Sequence, residues 1–303
     1  MSGLRIGTRG SALALAQASW VKRQIEEHDP SLAVELRVIK TSGDRFLETP
    51  IQNICGKGFF TKEIEEALLR QEIDLAVHSL KDLPTCLPSG LALAAVPARE
   101  EARDVLVTRD GSSLAKLAAG AKVGTGSLRR RAQLLHYRAD LSVLALRGNI
   151  DTRLKKLDAG EFDALVMAAA GLRRIGRADR SGEYLADEIC VSAVAQGALG
   201  LEARSDGNLR ERLAFLNDPA TCAEIAAERA LLDRLSGGCH VPIGARARVV
   251  SDQISMVGVV ASPDGDKLCR GETFGSVKEA AELGKRLAEQ LLERGAGELL
   301  ASI

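Results

Sequence analysis

Cys239 follows two glycines and precedes His240, Val241 and Pro242, which sets a thiol on a tight turn with open backbone on one side. Six cysteines stand at 55, 86, 190, 222, 239 and 269, and only Cys239 has a setting suited to a nucleophile. Cys190 and Cys222 lie in apolar surroundings and read as buried core. Asp82 follows Lys81 at the end of an apolar strand, so its carboxylate is able to face a nitrogen or a developing cation. General acid–base work by such a group is worth about 10² to 10⁴ in rate. The alternatives for Asp82 are a turn residue before Leu-Pro and a surface ion pair with Lys81.

Arg129, Arg130 and Arg131 fall in the first turn of a helix. There the macrodipole disfavours each cation by about 0.3–1 kcal/mol, so an anion should compensate them. Backbone N–H groups at that helix start, with the Thr125 and Ser127 hydroxyls, add donors for the same anion. Carboxylate and phosphate both fit, and a solvated basic face is the alternative. Arg9 beside Ser11 repeats the arrangement earlier in the chain, while Arg147 and Arg153 flank a Gly-Asn turn after a strand. Open α/β sheets place ligands at such strand ends, and the planar arginine fork favours carboxylates through paired, charge-assisted hydrogen bonds.

The elements that must position these groups alternate strand and helix, the pattern of α/β units with a mainly parallel sheet. Leu4 to Gly7 reads as a strand running into a helix from about Ala12 to Glu27, with Ser11 as its N-cap. Further strands are predicted at Val34–Val38, Ile73–Val77, Asp104–Thr108, Lys122–Gly124, Val143–Arg147 and Ala164–Ala168. Thr61 is placed to cap a helix through about Gln71, and Thr41 to Phe60 is a long polar stretch with glycines. Thr8 to Gln17 and Thr125 to Gln133 share a Thr, a Gly-Ser pair, a Leu and an Ala-Gln, so they read as corresponding strand-to-helix turns of two related lobes. A return to the first lobe near Val194 to Arg204 would give two hinge strands. The tail predicts a small α+β domain: a helix at about Ala220–Leu235, strands near Ala245–Val250 and Ile254–Val260, and a helix from about Ser276.

Composition narrows the class. The 303 residues are 46% hydrophobic and 27% charged, an ordinary globular balance long enough for two or three domains. Basic and acidic residues number 41 each and aromatics are 3%, which argues against nucleic acid as a partner. No apolar run approaches the roughly 20 residues that cross a bilayer, and the start lacks a signal-peptide layout, so a cytoplasmic protein is expected. The scattered cysteines predict neither disulfides nor a metal site. No P-loop or dinucleotide fingerprint occurs.

Taken together, Thr8-Arg-Gly-Ser-Ala-Leu-Ala, Gly56-Lys-Gly-Phe-Phe, Ala76-Val-His-Ser-Leu-Lys-Asp82, Val123-Gly-Thr-Gly-Ser-Leu-Arg-Arg130, Leu146-Arg-Gly-Asn149 and Gly237-Gly-Cys-His-Val-Pro242 resemble the porphobilinogen deaminase family. The matches run in family order from Thr8 to Gly244. The resemblance implies two lobes like type II periplasmic binding proteins plus a small α+β C-terminal domain. These would be residues 1–98 with 194–217, residues 99–193, and residues 218–303.

It also implies a transferase that joins four porphobilinogen molecules head to tail into hydroxymethylbilane. Each loses its amino group as ammonia, leaving an electrophilic azafulvene for the growing chain to attack. The chain grows on a dipyrromethane cofactor held through a thioether at the position of Cys239. The family's catalytic aspartate falls on Asp82. Side-chain acetates and propionates would be bound by Arg9, Arg129, Arg130, Arg147, Arg153 and Arg174, with Ser11, Lys81, Thr125 and Ser127 as further donors. Lys57 falls in a stretch implied to be a lid. Family behaviour implies a monomer. Two departures stand out: Gly126 replaces a common Ser, and His240 follows the cysteine where Gln or Ser is usual. Rival readings are a two-lobed binding protein that holds a polycarboxylate without reacting, and a phosphate-handling enzyme.

Overall fold

The structure, a computed structural model, describes residues 3–42, 61–236 and 241–301. Along the chain the first strands are β1 (Leu4–Thr8), β2 (Val34–Val38), β3 (Leu75–Ser79), β4 (Leu91–Ala95), β5 (Asp104–Thr108) and β6 (Lys122–Thr125). They are followed by β7 (Ser142–Ala145), β8 (Ala164–Ala168), β9 (Leu199–Arg204), β10 (Ile243–Val250), β11 (Gln253–Ala261) and β12 (Leu268–Ser276). The helices are α1 (Ala12–His28), α2 (Lys62–Leu69), α3 (Leu128–Tyr137), α4 (Ile150–Asp158), α5 (Ala169–Arg174), α6 (Leu209–Arg212), α7 (Pro219–Arg234), α8 (Ala280–Glu293) and α9 (Ala296–Ala301).

Two compact units result: Met1–Glu100 with Ala198–Cys222, and Glu101–Gly197 with Ala223–Ile303. The first unit carries a sheet of order β2-β1-β3-β9-β4, in which β1 runs parallel to β2 and β3 while β9 is antiparallel to both its neighbours. The second carries β7-β6-β8-β5, again parallel except for β5, which is antiparallel to β8. Reading β6, β7 and β8 as the counterparts of β1, β2 and β3, both sheets follow one order with one antiparallel crossing strand. The two lobes have the type II α/β fold anticipated from the sequence.

Local signals explain the elements that position polar groups. Ser11 caps α1 by accepting from Ala14 N at 3.2 Å, and Ser127 caps α3 by accepting from Arg130 N at 3.4 Å. Asn149 does the same for α4, accepting from Thr152 N at 2.9 Å. The buried face of α1 is Gln17, Ala18, Val21 and Ile25, a helical spacing that packs on Leu4, Ile6, Leu75 and Val77 of the sheet. β5 and β8 are apolar on both faces, as strands covered from two sides must be.

The C-terminal part of the second unit is the antiparallel sheet β10-β11-β12 covered by α8. The sequence reading ran from β11 straight to a helix and left out β12. Its inward positions Gly271 and Gly275 are the reason, since they carry no apolar side chain to mark a strand. A Cβ at either would stand 2.9 Å from Leu287 or Leu283 of α8, so the missing side chains let the helix lie close on the sheet.

Candidate functional site

In the first unit β1 and β3 are parallel neighbours, with Ile6 opposite Leu75 and Gly7 opposite Ala76. Their carboxyl ends therefore deliver Arg9 and Ser11 from one strand, and Lys81 and Asp82 from the other, to one edge of the sheet. Gln17 of α1 fastens the two turns, its Nε2 donating to Ser79 Oγ at 2.8 Å. Beyond Ser79 the chain makes a single 3-10 turn, Leu80–Asp82, anchored by the buried Leu80 side chain and by its N–H donating to Ala198 O at 3.0 Å. Asp82 is exposed at the end of this turn, while Arg9, Ser11 and Lys81 are half-buried.

The second unit repeats the plan. β6 and β7 are parallel, with Thr125 opposite Ala145, so Thr125, Ser127 and Arg147 emerge at one edge. Thr125 Oγ1 accepts from Ser127 N at 3.3 Å, and Ser127 Oγ accepts from Arg130 N. Each hydroxyl thus accepts within the turn and keeps one hydrogen to donate. Arg153 of α4 is aimed back at this edge by its Nε, which donates to Gly148 O at 2.8 Å. Burial, and then the guanidiniums of Arg130 and Arg147, push the Arg153 pKa down to about 10. No carboxylate contributes to that shift, so Arg153 is a cation crowded by cations. Arg174 ends α5 and donates to Gly197 O at 2.5 Å.

The anion expected beside the first turn of α3 is supplied in part by the protein. Asp104, fully buried at the start of β5, lies 2.8 Å from Arg129 Nη1 and 2.8 Å from Arg130 Nη2. Burial alone would raise the Asp104 carboxyl, but the charges of Arg129 and Arg130 outweigh it and hold the group well below the usual carboxylate range. Arg129 also donates to Val191 O at 2.6 Å and Arg130 to Val166 O at 3.3 Å. Sequence reasoning missed Asp104, whose one signal was an acid opening an otherwise apolar strand.

Cys239, His240, Lys57 and most of the polar stretch 41–60 lie outside the described residues. Among the described residues no cluster of three or more His, Cys, Asp or Glu could hold a metal ion, and no helix is long and apolar enough to cross a membrane.

A family model described as porphobilinogen deaminase, dipyromethane cofactor binding domain, matches residues 4–212, and the porphobilinogen deaminase C-terminal domain matches residues 222–293. The chain is 50% identical over 303 residues to the porphobilinogen deaminase of Syntrophotalea carbinolica, covering 100% of this chain and 96% of that one. It is also 50% identical over 301 residues to that of Geobacter metallireducens, covering 99% of this chain and 94% of the other. Among solved structures, a periplasmic substrate-binding protein of an ABC transporter from Coxiella burnetii aligns at 16% identity with a TM-score of 0.44, over 75% of this chain and 96% of that one. With two family models covering nearly all of its length and relatives at half identity from end to end, the chain belongs to the porphobilinogen deaminase family.

Proposed function

We propose that this hydroxymethylbilane synthase binds the acidic side chains of porphobilinogen through Arg153, Arg147, Arg130 and their neighbours, and uses Asp82 as its catalytic carboxylate. The observation that carries the reading is Arg153, a half-buried guanidinium held at this edge by Gly148 O and opposed by the like charges of Arg130 and Arg147. Such crowding is unfavourable in the protein alone and is relieved by carboxylates, which porphobilinogen and dipyrromethane carry in pairs on every ring. The Thr125 and Ser127 hydroxyls are further donors for the same group. The residues of this edge suit dipyrromethane, with Thr125, Ser127, Arg129 and Arg130 holding it and Arg147, Arg153 and Arg174 serving the incoming substrate; the family resemblance adds Ser11 and Lys81 to the first role and Arg9 and Lys57 to the second.

When bound, dipyrromethane supplies the free pyrrole α-carbon on which the chain grows, and Cys239 in the C-terminal part, residues 218–303, is its attachment point. Asp82 accepts hydrogen bonds from pyrrole N–H groups and stabilises the positive charge that develops as the substrate's C–N bond breaks and ammonia leaves. A carboxylate at an exposed strand end is also able to take the proton released when the new carbon–carbon bond forms. The arginines fix the ring by its carboxylates so that the reacting carbon is presented repeatedly in one geometry.

Intact-mass spectrometry with peptide mapping tests the reading. Freshly isolated enzyme should exceed its sequence mass by one dipyrromethane, located on Cys239, and a bare thiol in active material would sink the proposal. Asp82→Asn should lower turnover by about 10² to 10⁴. Near-normal turnover would remove Asp82 from the mechanism and leave the family assignment standing. We further read the enzyme as a cytoplasmic monomer. Among the described residues Cys86, Cys190, Cys222 and Cys269 are free thiols, which suits a reducing compartment, and sedimentation velocity checks the monomeric state.

A further inference from the structure

We propose that Asp104 is the positioning residue of the carboxylate-binding edge, setting the orientation of Arg129 and Arg130; this deepens the reading above and rests on it. Each oxygen of Asp104 is assigned to one arginine. Oδ1 accepts from Arg130 Nε at 3.0 Å and from Gln196 Nε2 at 2.8 Å, and it lies 2.8 Å from Arg130 Nη2. Oδ2 lies 2.8 Å from Arg129 Nη1 and accepts from Cys190 Sγ at 3.4 Å. Gln196 is held in turn, its Nε2 also donating to Ala102 O at 2.7 Å.

This one carboxylate thereby ties the first turn of α3 to β5 and to the coil at 190–196. Gln133, one turn further along α3, completes the join by accepting from Val191 N at 2.7 Å. The same helix start presents Ser127, and Arg130 is one of the charges that crowd Arg153. Asp104 thus fixes the start of α3 and its two arginines from behind, with no surface exposed to a ligand.

Stability alone does not account for the arrangement. Burying one acid with two arginines leaves a net positive charge, and well-packed apolar side chains of similar volume would usually be no worse. A cationic surplus held in fixed geometry is what recognition of several carboxylates requires.

Two physical effects of Asp104→Asn have opposite signs, which makes the inference testable. If Asp104 acts only through its charge, its neutralisation leaves the edge more positive, so porphobilinogen should bind more tightly and primer occupancy should hold or rise. If it positions the forks, occupancy or kcat must fall in spite of the added positive charge. We expect the second: holoenzyme with kcat lower by about 10²-fold and KM changed little, or reduced dipyrromethane occupancy by intact mass. The Arg130 Nε–H should also exchange with solvent faster by ¹⁵N NMR. Full occupancy with unchanged or improved kcat and KM would overturn the inference while leaving wild-type dipyrromethane on Cys239, and with it the proposed function, untouched.

Should Asp104→Asn fail to fold, Gln196→Met provides the milder variant. It keeps both ion pairs and removes the donor that Gln196 gives to Oδ1 and to Ala102 O, together with the acceptor it gives to Arg130 Nη2 at 3.3 Å. We expect kcat to fall about threefold to tenfold in the folded holoenzyme, with a melting temperature lowered by the unpaired Ala102 O, and wild-type kcat would equally overturn the inference.

Discussion

His78 Nε2 lies 3.0 Å from Oε2 of Glu202, with both side chains buried, joining the antiparallel strands β3 and β9 beneath the turn that ends in Asp82. Removing one partner leaves an uncompensated buried group. We expect His78→Leu to destabilise by about 3–5 kcal/mol and the double change His78→Leu with Glu202→Leu to recover most of that loss. Denaturant melts of the two single variants and the double variant measure the coupling. Simple additivity would show that the pair does not act as a unit.

Glu65 lies near this pair, and its carboxyl is raised above the ordinary 4.5, first by burial and then by the negative charge of Glu202, against a lowering hydrogen bond from Thr61. A carboxyl whose folded pKa exceeds its unfolded value binds its proton more tightly in the folded state. Its contribution to stability is therefore fully present below about pH 4.5 and is lost as pH rises through the higher folded value. Glu65→Gln should abolish that loss. The difference in unfolding free energy between variant and wild type should grow in favour of the variant as pH rises from 4.5 toward neutrality, and a pH-independent difference would contradict the assignment.

Arg153 predicts a trade between stability and function. Arg153→Met removes the charge that Arg130 and Arg147 crowd, so the protein free of pyrroles should melt at the same or a higher temperature. Turnover should fall, with kcat/KM for porphobilinogen reduced by about 10² or more, the loss of one bidentate charge-assisted contact. Thermal melts of apoprotein beside steady-state kinetics check both signs. Loss of stability with intact kcat/KM would invert the argument.

Gly126 is spatially confined. A Cβ there would stand 2.8 Å from Leu146 O and 3.8 Å from Arg153 Nη2, so Gly126→Ser must push the β7–α4 turn and Arg147 outward. We expect a stability cost of about 1–3 kcal/mol and a raised KM. Unchanged melting and kinetics would show that this turn yields freely, as it must in relatives with Ser at the position.

Cys190 is pushed up to about 12, mainly by burial and then by the charge of Asp104, whereas Cys86 is exposed. Iodoacetamide should label Cys86 in the native protein and reach Cys190 only on unfolding, which peptide mapping resolves. Native labelling of Cys190 at a comparable rate would contradict its burial.

Much of this was legible in the residues alone. Ser11 was readable as a helix cap because a cap is made over three residues, Ser11 to Ala14, whereas Ser127, read as a donor to an anion, proves to cap α3 as well. The parallel α/β rhythm was readable because strands such as Leu75–Ser79 and Ala164–Ala168 are compact, mostly apolar runs. β12 was not, since glycines occupy the positions that would have shown its inward face.

The sequence by itself determined the family, the paired strand-to-helix turns and the residue types able to bind carboxylates, all of which depend on neighbours close along the chain. Only the tertiary structure decided how the charges are matched. Asp104 and Arg130 are 26 residues apart, and whether they meet depends on β5 lying beside β8 and β8 beside β6. Strand order is set by packing across the whole sheet, which no local periodicity records.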